Sequence, residues 1–384
     1  MAIVPRWRKN MSIINKRIGI VGGGQLGKMM ILEAKRLGFY VAVLDPAHDC
    51  PASSVCDEVI VAKFTDESAY FRLAEKVDVI TYEFEHINTA ALEKIEKDGT
   101  PVYPSVRSLK TIQNKYLQKC KLRDSGIAVS RLSKEYTADL GSPQMFKAAL
   151  GSYDGKGNWV IRSVHDVPGN VDGFFEEFVD FKLEISVIAC RGIDGTVVTY
   201  PVAENIHKNS ILDMTVVPAR ISFDTEMDAE ELAKEVMKVF KGVGTFCVEM
   251  FVDKKGKVSV NEVAPRPHNS GHYTIEGTFA NQFENHIRAI AGLPLGCTEI
   301  DKSAVMVNLL GESDGKAQLV GLEQAYKIDP LLHVHMYGKS ESKIGRKMGH
   351  FTVVSDDIED TKDIIKRAEK IKSVVKVLGK SSDK

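Results

Sequence analysis

The sequence has little of several features that define whole classes of proteins. Cysteine occurs six times in 384 residues, never as a C-x-x-C pair, and its neighbours are mostly apolar. This usage indicates a reducing compartment without a disulfide framework or a thiolate metal site. No apolar run reaches the roughly 18 residues that a membrane span needs. We therefore expect a cytoplasmic protein without membrane-spanning segments.

The chain also has almost no net charge. Its 51 lysines and arginines face 52 acidic residues, which leaves a formal charge of -1. Without a global positive field, neither a nucleic acid nor an anionic membrane is an expected partner, and any anionic ligand must be met by a local site. Residues 1–16 are basic and lack the continuous apolar region of a secretory signal, so we interpret them as an N-terminal extension, with an organelle-targeting segment as the alternative.

Length and composition predict two or three folded domains. A chain of 384 residues with 43% hydrophobic side chains is longer than a single domain with one hydrophobic core usually is. Arg17–Val21 is an apolar run followed by glycines, and strands then alternate with helices as far as residue 97. This alternation predicts an α/β domain with a parallel sheet. The remainder reads as α+β, with a helix over 109–124, a glycine-bearing hairpin, strands over 178–202, a helix over 228–240, strands over 245–253 and 257–263, a helix over 282–291 and a helical tail after 356.

A glycine-rich turn follows the first predicted strand. Gly22–Gly27 satisfies G-x-G-x-x-G, and Asp45 ends the next strand, as a dinucleotide site requires. A nicotinamide or flavin cofactor and a tight turn without a ligand both remain open. A P-loop is excluded because Met29 stands where a hydroxyl should bind magnesium. What remains is a helix N-terminus that an anion or a ribose can approach.

A stronger constellation lies between residues 245 and 272. Glu249 lies in mid-strand, where a buried carboxylate needs a cation or a donor. After a DKKGK turn the return strand carries Asn261 and Glu262, so a hairpin would bring the two glutamates to the same end of adjacent strands. These hard oxygen ligands suit Mg²⁺ with bound phosphates, and the alternative is a structural ion pair with a lysine. The polar loop that follows would lie beside the metal, with Arg266, His268, Asn269 and His272.

Upstream, Lys147 precedes a glycine hairpin by six residues. Lysines and a flexible glycine turn are suited to nucleotide phosphates, with the turn as a lid, although such a sequence is also common in surface hairpins. The hairpin residues are Tyr153, Asp154, Gly155, Lys156, Gly157 and Asn158.

A predicted strand follows the hairpin. Its backbone could contact an adenine edge, and a carboxylate near its end could hold ribose hydroxyls. The residues concerned are Glu176, Glu177, Phe178, Val179 and Glu184.

Together these residues resemble the ATP-grasp superfamily. The motifs GGGQLGKMM, DVITYEFEH, YDGKGN, EEFV, NEVAPRPHNSGHYTIEG and YGKSESKIGRKMGH are similar, in order, to those of the 5-(carboxyamino)imidazole ribonucleotide synthases of purine biosynthesis. The resemblance implies an ATP-grasp fold, with an N-terminal Rossmann-like substrate domain over 17–108, a linker helix and lid over 109–187, and a C-terminal ATP-grasp domain over 188–384. It also implies a homodimer.

The resemblance implies an ATP-dependent carbon-nitrogen ligase. ATP would phosphorylate bicarbonate, and carboxyphosphate would then carboxylate 5-aminoimidazole ribonucleotide, with Mg²⁺ or Mn²⁺ as the metal. A formate-dependent glycinamide ribonucleotide transformylase of the same superfamily is one alternative. An NAD-dependent oxidoreductase, based on the glycine turn alone, is another. Both metal carboxylates are present, which disfavours a non-catalytic nucleotide-binding module.

The resemblance also assigns ATP contacts residue by residue. Glu249 and Glu262 would hold the metal, Glu176 and Val179 would lie at the adenine, and Glu184 would bind the ribose. The lid would be the Tyr153–Asn158 hairpin, and the other nucleotide contacts would be Lys115, Lys147, Glu177, Phe178, His207 and Asn261.

Substrate and catalytic residues follow in the same way. Arg266 would orient bicarbonate or carboxyphosphate, and Lys147 and Lys156 would bind phosphates. Asp154 would accept the amine proton, with His268 and His272 as rival bases. The ribonucleotide would contact Gln25, Leu26, Glu83, Tyr153, Asn269 and Ser270, with its phosphate held by Lys339, Arg346 and Lys347.

The lid departs from the family pattern. Ala149 replaces a frequent arginine, Ser152 replaces a glycine, and the stretch over 158–176 is shorter than the family's. We therefore expect a lid that lacks a helix.

Overall fold

The N-terminal part of the chain is a parallel sheet with helices on both faces. The structure is a computed structural model, and it describes residues 15–151, 157–358 and 361–380. The sheet order is β3-β2-β1-β4, with β1 in the middle. Four of the five residues of β1 are buried, because helices cover it on both sides. The α/β prediction is confirmed. The elements are β1 (Arg17–Val21), α1 (Gln25–Arg36), β2 (Tyr40–Asp45), β3 (Glu58–Val61), α2 (Glu67–Ala74), β4 (Val79–Tyr82) and α3 (Thr89–Lys97).

Two helices connect this sheet to the rest of the chain. They are α4 (Val106–Ile112) and α5 (Lys115–Asp124), so the prediction of one helix over 109–124 was wrong. The Asn114 side chain accepts a hydrogen bond from the Leu117 N–H and caps α5. Asparagine competes with the helical backbone in this way, which explains the break.

The lid is an antiparallel sheet in the order β5-β8-β6-β7. Its small core contains Leu140, Phe146, Ile161 and Phe175. Between residue 125 and the end of the lid sheet, the described residues contain short 3-10 turns but no α-helix, in line with the expected short lid. Tyr153, Asp154, Gly155 and Lys156 lie outside the described residues. The strands are β5 (Leu132–Ser133), β6 (Gln144–Ala148), β7 (Asn158–Ile161) and β8 (Gly173–Glu177).

A large, mainly antiparallel sheet forms the next part of the chain. Helix α6 packs on its β9 and β13 strands through the largest described core cluster. The α+β prediction is confirmed. The elements are β9 (Phe181–Arg191), β10 (Val197–Thr199), β11 (Ala203–Lys208), β12 (Ile211–Val217), α6 (Phe223–Phe240), β13 (Gly244–Asp253), β14 (Val258–Ala264), α7 (Thr274–Gly277), α8 (Gln282–Ala291) and β15 (Ser303–Leu310).

The C-terminal part extends the same sheet, whose order is β14-β13-β9-β11-β12-β15-β19-β17 with β10 beside β9. A separate small sheet has the order β18-β16-β20, and α10 packs on β15 and β19. The elements are β16 (Gly315–Val320), α9 (Leu322–Ile328), β17 (His333–Met336), β18 (Glu341–Ser342), β19 (Lys347–Ser355), α10 (Thr361–Val374) and β20 (Lys376–Lys380).

Two other sequence expectations concern the whole chain. All six cysteines are free thiols, as predicted. None of the helices within the described ranges has the length and apolar character needed to cross a bilayer. The domain boundaries at residues 16, 108 and 187 stay a prediction.

His286 joins the N-terminal sheet to the large sheet. It is fully buried on α8, where Nδ1 accepts a hydrogen bond from the Thr245 N–H at 3.1 Å and Nε2 lies 2.8 Å from Thr81 Oγ1. The acceptor role of Nδ1 requires the neutral ring, with its proton on Nε2. Burial accordingly lowers the pKa of His286 to about 3.

We expect His286→Gln to reduce the loss of stability in acid. Between pH 6.5 and about 3 the unfolded chain binds a proton at His286 and the folded chain does not, so stability falls as pH falls, by up to about 1.4 kcal/mol per pH unit. The glutamine variant lacks this contribution, so its stability should approach that of the wild type as the pH is lowered from 7 to 5. Urea unfolding measures the difference, with His165→Gln at an exposed position as the control. A constant difference across this range would contradict the expectation.

Candidate active site

A cavity of about 740 Å³ lies where the glycine turn, the lid and the β13-β14 hairpin meet. Side chains from all three parts of the chain line it, so the fold brings together motifs that are far apart in sequence. The predicted site residues that line the cavity are Gln25, Leu26, Glu83, Lys115, Lys147, Asn158, Glu184, His207, Glu249, Asn261, Glu262, Arg266, His268, Asn269 and Lys347.

The two predicted metal carboxylates face each other across the hairpin. Glu249 on β13 is paired in register with Glu262 on β14, as the sequence predicted. Burial, followed by repulsion from Glu262, raises the pKa of Glu249 to about 7. Burial opposes the ionisation of Glu262, but Lys115, whose Nζ lies 2.7 Å from Glu262 Oε2, lowers the pKa of that carboxyl. A divalent cation would relieve the repulsion between the carboxylates, so these residues fit Mg²⁺.

Lys115 and Lys147 line the cavity beside these carboxylates. Lys147 Nζ lies 3.0 Å from Asn261 Oδ1 and 2.7 Å from Glu176 Oε2. Glu176 is 2% exposed, and its other oxygen lies 3.1 Å from Lys119 Nζ. The Glu176 side chain therefore supports Lys147 and does not itself line the cavity. A contact between the Glu176 backbone and adenine stays a prediction.

The other predicted nucleotide contacts divide into two groups. Glu184 and His207 both line the cavity and pair with each other, with Oε2 and Nδ1 2.9 Å apart. Burial opposes protonation of His207, but Glu184 raises its pKa above the ordinary value. Glu177, Phe178 and Val179 do not line the cavity. Glu177 is paired with Arg131 at 2.6 Å, and Phe178 is 45% exposed.

The glycine turn carries an anion that belongs to the protein itself. The Glu83 carboxylate accepts hydrogen bonds from the Gly24 N–H at 2.5 Å and the Gly27 N–H at 2.8 Å. Asp45 accepts hydrogen bonds from the Gly23 and Ala47 N–H groups, both at 2.8 Å. A pyrophosphate would compete with Glu83 for the same donors, and Asp45 is already engaged. The geometry therefore argues against a dinucleotide cofactor.

Three family models match the chain in the order of these parts. They are the ribonucleotide synthetase preATP-grasp domain over 15–113, the ATP-grasp domain over 124–283, and the phosphoribosylaminoimidazole carboxylase C-terminal domain over 304–364. The N5-carboxyaminoimidazole ribonucleotide synthase of Staphylococcus aureus strain MRSA252 is 41% identical over 360 residues, which cover 90% of this chain and 94% of the relative. The chain belongs to the N5-carboxyaminoimidazole ribonucleotide synthase family.

Solved structures of this ATP-grasp ligase family agree with the fold. The N5-carboxyaminoimidazole ribonucleotide synthetase of Thermotoga maritima matches with a TM-score of 0.87 and 44% identity, covering 95% of this chain and 100% of that one. The Aspergillus clavatus N5-carboxyaminoimidazole synthase in complex with ADP and 5-aminoimidazole ribonucleotide matches with a TM-score of 0.84 and 33% identity, covering 94% of this chain and 99% of that one. This agreement confirms the resemblance and the ATP-grasp fold.

The loop that follows the paired glutamates carries a partly buried cation. Arg266 Nε lies 2.9 Å from Glu85 Oε1, and one terminal nitrogen donates to the Pro267 carbonyl at 3.1 Å. Burial lowers the pKa of Arg266, but attraction by Glu85 outweighs this effect, so the pKa lies above its ordinary value. His268 Nε2 lies 3.3 Å from Glu249 Oε1. The loop thus places Arg266 and His268 between the glycine turn and the carboxylates.

Two residues of this loop that were predicted to act on the substrate lie behind the cavity wall. His272 is 1% exposed and does not line the cavity, and its ring stacks on His350 with centroids 4.5 Å apart. The expectation that His272 is a rival base is therefore wrong. Ser270 is also 1% exposed and hydrogen-bonds Ser186 and His268, so it supports the loop and does not face a substrate.

Asn269, unlike Ser270 and His272, lines the cavity. Its amide exchanges two hydrogen bonds with the Asn308 amide, at 3.0 and 2.9 Å. The side chain is thus held in a fixed orientation at the cavity wall, and contact with the ribonucleotide stays a prediction.

Of the three cations predicted to hold the ribonucleotide phosphate, only Lys347 lines this cavity. Lys339 Nζ donates to the Lys347 carbonyl at 2.7 Å and so supports the start of β19. Arg346 is exposed and donates to the Glu341 carbonyl at 2.9 Å. The cluster in the sequence is therefore split between one side chain at the site and two that contact backbone.

Cys247 is a cavity neighbour that sequence reasoning left out. A ligand atom of Cys247, one of Glu249 and one of His268 lie within 4.8 Å of one another. Burial raises the pKa of the Cys247 thiol far above its usual range, so the group remains protonated. For a hard cation the two glutamates remain the suitable ligands.

Sequence reasoning also missed Glu85 and Lys119. Glu85 belongs to the DVITYEFEH motif, where two acidic residues at a strand end are a usable signal. Lys119 had no such signal, because a lysine in a charged helix is ordinarily exposed.

Proposed function

We propose that the chain is the ATP-dependent ligase that carboxylates 5-aminoimidazole ribonucleotide to N5-carboxyaminoimidazole ribonucleotide in purine biosynthesis. Bicarbonate supplies the carboxyl group, and ADP and phosphate are released. The observation that carries this proposal is the shared cavity, in which Gln25, Leu26 and Glu83 face the carboxylate pair and the lysines. The structure of the Aspergillus clavatus relative in complex with ADP and 5-aminoimidazole ribonucleotide supports the proposal that one site binds both an adenine nucleotide and this ribonucleotide.

The ATP side of the cavity is built from lysines and carboxylates. Lys115 and Lys147 supply positive charge for the phosphates, and Glu184, which also lines the cavity, is proposed to hold a ribose hydroxyl. Glu249 and Glu262 would hold Mg²⁺, with Mn²⁺ as a substitute. When bound, the metal neutralises charge on the phosphate groups. The lid hairpin with Tyr153, Asp154, Gly155, Lys156, Gly157 and Asn158 is proposed to close over this side.

Bicarbonate is a poor electrophile, and its phosphorylation provides a leaving group. Arg266 carries a fixed positive charge beside the carboxylates and is proposed to orient bicarbonate and then carboxyphosphate. Closure of the lid would exclude water from this reactive intermediate. Attack by the substrate amine forms the C–N bond, breaks the C–O bond to phosphate and releases one amine proton. Asp154 and His268 are the proposed acceptors, and His268 lines the cavity.

The ribonucleotide is proposed to lie against the glycine turn, with Asn269 at its edge and Lys347 at its phosphate. Lys339 and Arg346 would act through the backbone of this segment. A homodimer, a cytoplasmic location and the absence of nucleic-acid and membrane partners are parts of the same proposal.

Release of phosphate from ATP tests this function. With 5-aminoimidazole ribonucleotide and bicarbonate present, we expect turnover in the ordinary range of about 1–1000 per second. Removal of bicarbonate should suppress it. In a parallel reaction, formate and glycinamide ribonucleotide replace the two carboxylation substrates, and turnover there would identify the transformylase alternative. Folded protein without turnover in either mixture would contradict the ligase proposal.

A further inference from the structure

Lys119 is a buried lysine that lies behind the cavity wall. It lies one helical turn after Lys115 on α5 and is 2% exposed. Its Nζ atom lies 3.1 Å from each of three oxygens, in the Ser130 hydroxyl, the Val260 carbonyl and the Glu176 carboxylate. A lysine so deeply buried is unusual and requires paired charge. Since Lys119 does not line the cavity, any effect on a ligand must pass through a neighbour.

That neighbour is Glu176, which lies between two lysines. One carboxylate oxygen contacts Lys119, and the other contacts Lys147 Nζ at 2.7 Å. Lys147 in turn reaches the cavity, where it contacts Asn261. The contacts therefore form one continuous path from Lys119 through Glu176 and Lys147 to the cavity.

The charges along this path do not cancel. Two lysines and one carboxylate leave one positive charge at the cavity wall. If Lys119 were neutral, the charge of Lys147 would be balanced fully by Glu176, and the three groups would offer no net charge to an anion. Burial opposes the ionisation of Glu176, but the two lysines outweigh it and lower the pKa of this carboxyl to about 2. Glu176 therefore remains ionised at neutral pH.

We propose that Lys119 is a positioning residue for ATP. By balancing the charge of Glu176 it leaves the charge of Lys147 available to the nucleotide phosphates. This inference rests on the proposed function for the identity of the ligand. It adds a residue that acts on ATP through an ion pair without touching the nucleotide.

The chain contains a matched control for this arrangement. Asp213 is also buried and lies between two lysines, Lys208 at 3.1 Å and Lys372. It does not line the cavity. Lys372→Met therefore removes one of two lysines from a buried carboxylate, as Lys119→Met does, without changing the charge at the cavity.

Equilibrium binding of ATP, measured by calorimetry without the other substrates, tests the inference directly. We expect Lys119→Met to raise the Kd for ATP about tenfold. A change of this size corresponds to the loss of one charge interaction of modest strength. Lys119→Arg should stay close to the wild type because it keeps the charge, and Lys372→Met should bind ATP normally. In turnover assays Lys119→Met should raise the KM for ATP with little change in kcat or in the KM for the ribonucleotide.

A double variant separates charge balance from structural support. Lys119→Met combined with Glu176→Gln removes both buried charges and again leaves one positive charge, on Lys147. We expect this variant to regain most of the ATP affinity lost in Lys119→Met. If the single variant does not fold, the double variant is compared with the wild type, and a Kd within about threefold is expected.

Several outcomes would overturn the inference. These are wild-type affinity in Lys119→Met, an equal loss in Lys372→Met, or no recovery in the double variant. A protein that binds ATP normally but does not carboxylate the ribonucleotide would contradict the proposed function and leave this test intact. The two proposals can therefore fail separately.

Discussion

Arg266→Met is expected to lower kcat for carboxylation about a thousandfold while changing the affinity for ATP little. Arg266 is a fixed, partly buried positive charge that lines the cavity with the glycine turn and the paired glutamates. Charge develops on carboxyphosphate during its formation and its reaction, and a preorganised cation in a water-poor site stabilises such charge most in the transition state. Loss of one such group typically costs two to three orders of magnitude in kcat. Single-turnover measurements with saturating ATP and ribonucleotide give the effect.

The main control for Arg266 concerns its partner. Arg266→Met leaves the partly buried Glu85 carboxylate without the guanidinium 2.9 Å away, and this unpaired charge would by itself destabilise the site. The double variant Arg266→Met with Glu85→Gln removes both charges. We expect it to recover stability against heat but not kcat. Recovery of kcat in the double variant would show that Arg266 acts only by neutralising Glu85.

A conservative substitution adds a geometric test. Arg266→Lys keeps the charge but loses the planar fork that can hold a carboxylate at two points. We expect its kcat to lie between those of the wild type and Arg266→Met. Wild-type kcat in Arg266→Lys would indicate that charge alone is sufficient.

The sequence predicted the carboxylate pair because its geometry is local. Glu249 and Glu262 lie on adjacent strands joined by a short turn, so the hairpin predicts that they are neighbours, and a register shift between Glu249 and Met250 then pairs them directly. The alternating strands and helices of residues 17–97 likewise predicted the parallel sheet, since periodicity reports burial directly. These features required no knowledge of distant contacts.

Contacts between distant residues could not be predicted in this way. Glu83 fills the glycine turn across 59 residues, so the G-x-G-x-x-G motif misleads when read alone. Lys119 reaches the Val260 carbonyl across 141 residues. His272 is a residue type common in catalysis, but here it packs against His350 on β19. In each case the direction of a side chain, set by the tertiary packing, decides its role.

Glu262→Gln is expected to lower turnover about a thousandfold and to weaken binding of Mn²⁺, measured by electron paramagnetic resonance. The substitution removes one of the two paired carboxylates and leaves Lys115 Nζ, which lies 2.7 Å from Glu262 Oε2, without its anionic partner. Hard cations depend on anionic oxygen ligands, so a neutral amide should cost much of the affinity. Glu249→Gln should have a similar effect on metal binding while it preserves the Lys115 pair.

Glu204→Gln distinguishes a metal site from a structural ion pair, the alternative reading of the mid-strand glutamates. Glu204 is 2% exposed on β11 of the same sheet and is paired with Arg220. Its loss should reduce stability by less than the about 3–5 kcal/mol that breaking a fully buried pair costs, because the Arg220 side chain is nearly half exposed, and it should leave Mn²⁺ binding unchanged. If Glu262 served only to pair with Lys115, Glu262→Gln would behave like Glu204→Gln, with lower stability and normal metal affinity. A selective loss of metal binding in Glu262→Gln and Glu249→Gln would therefore support the metal site, because a structural ion pair alone would not produce such a loss.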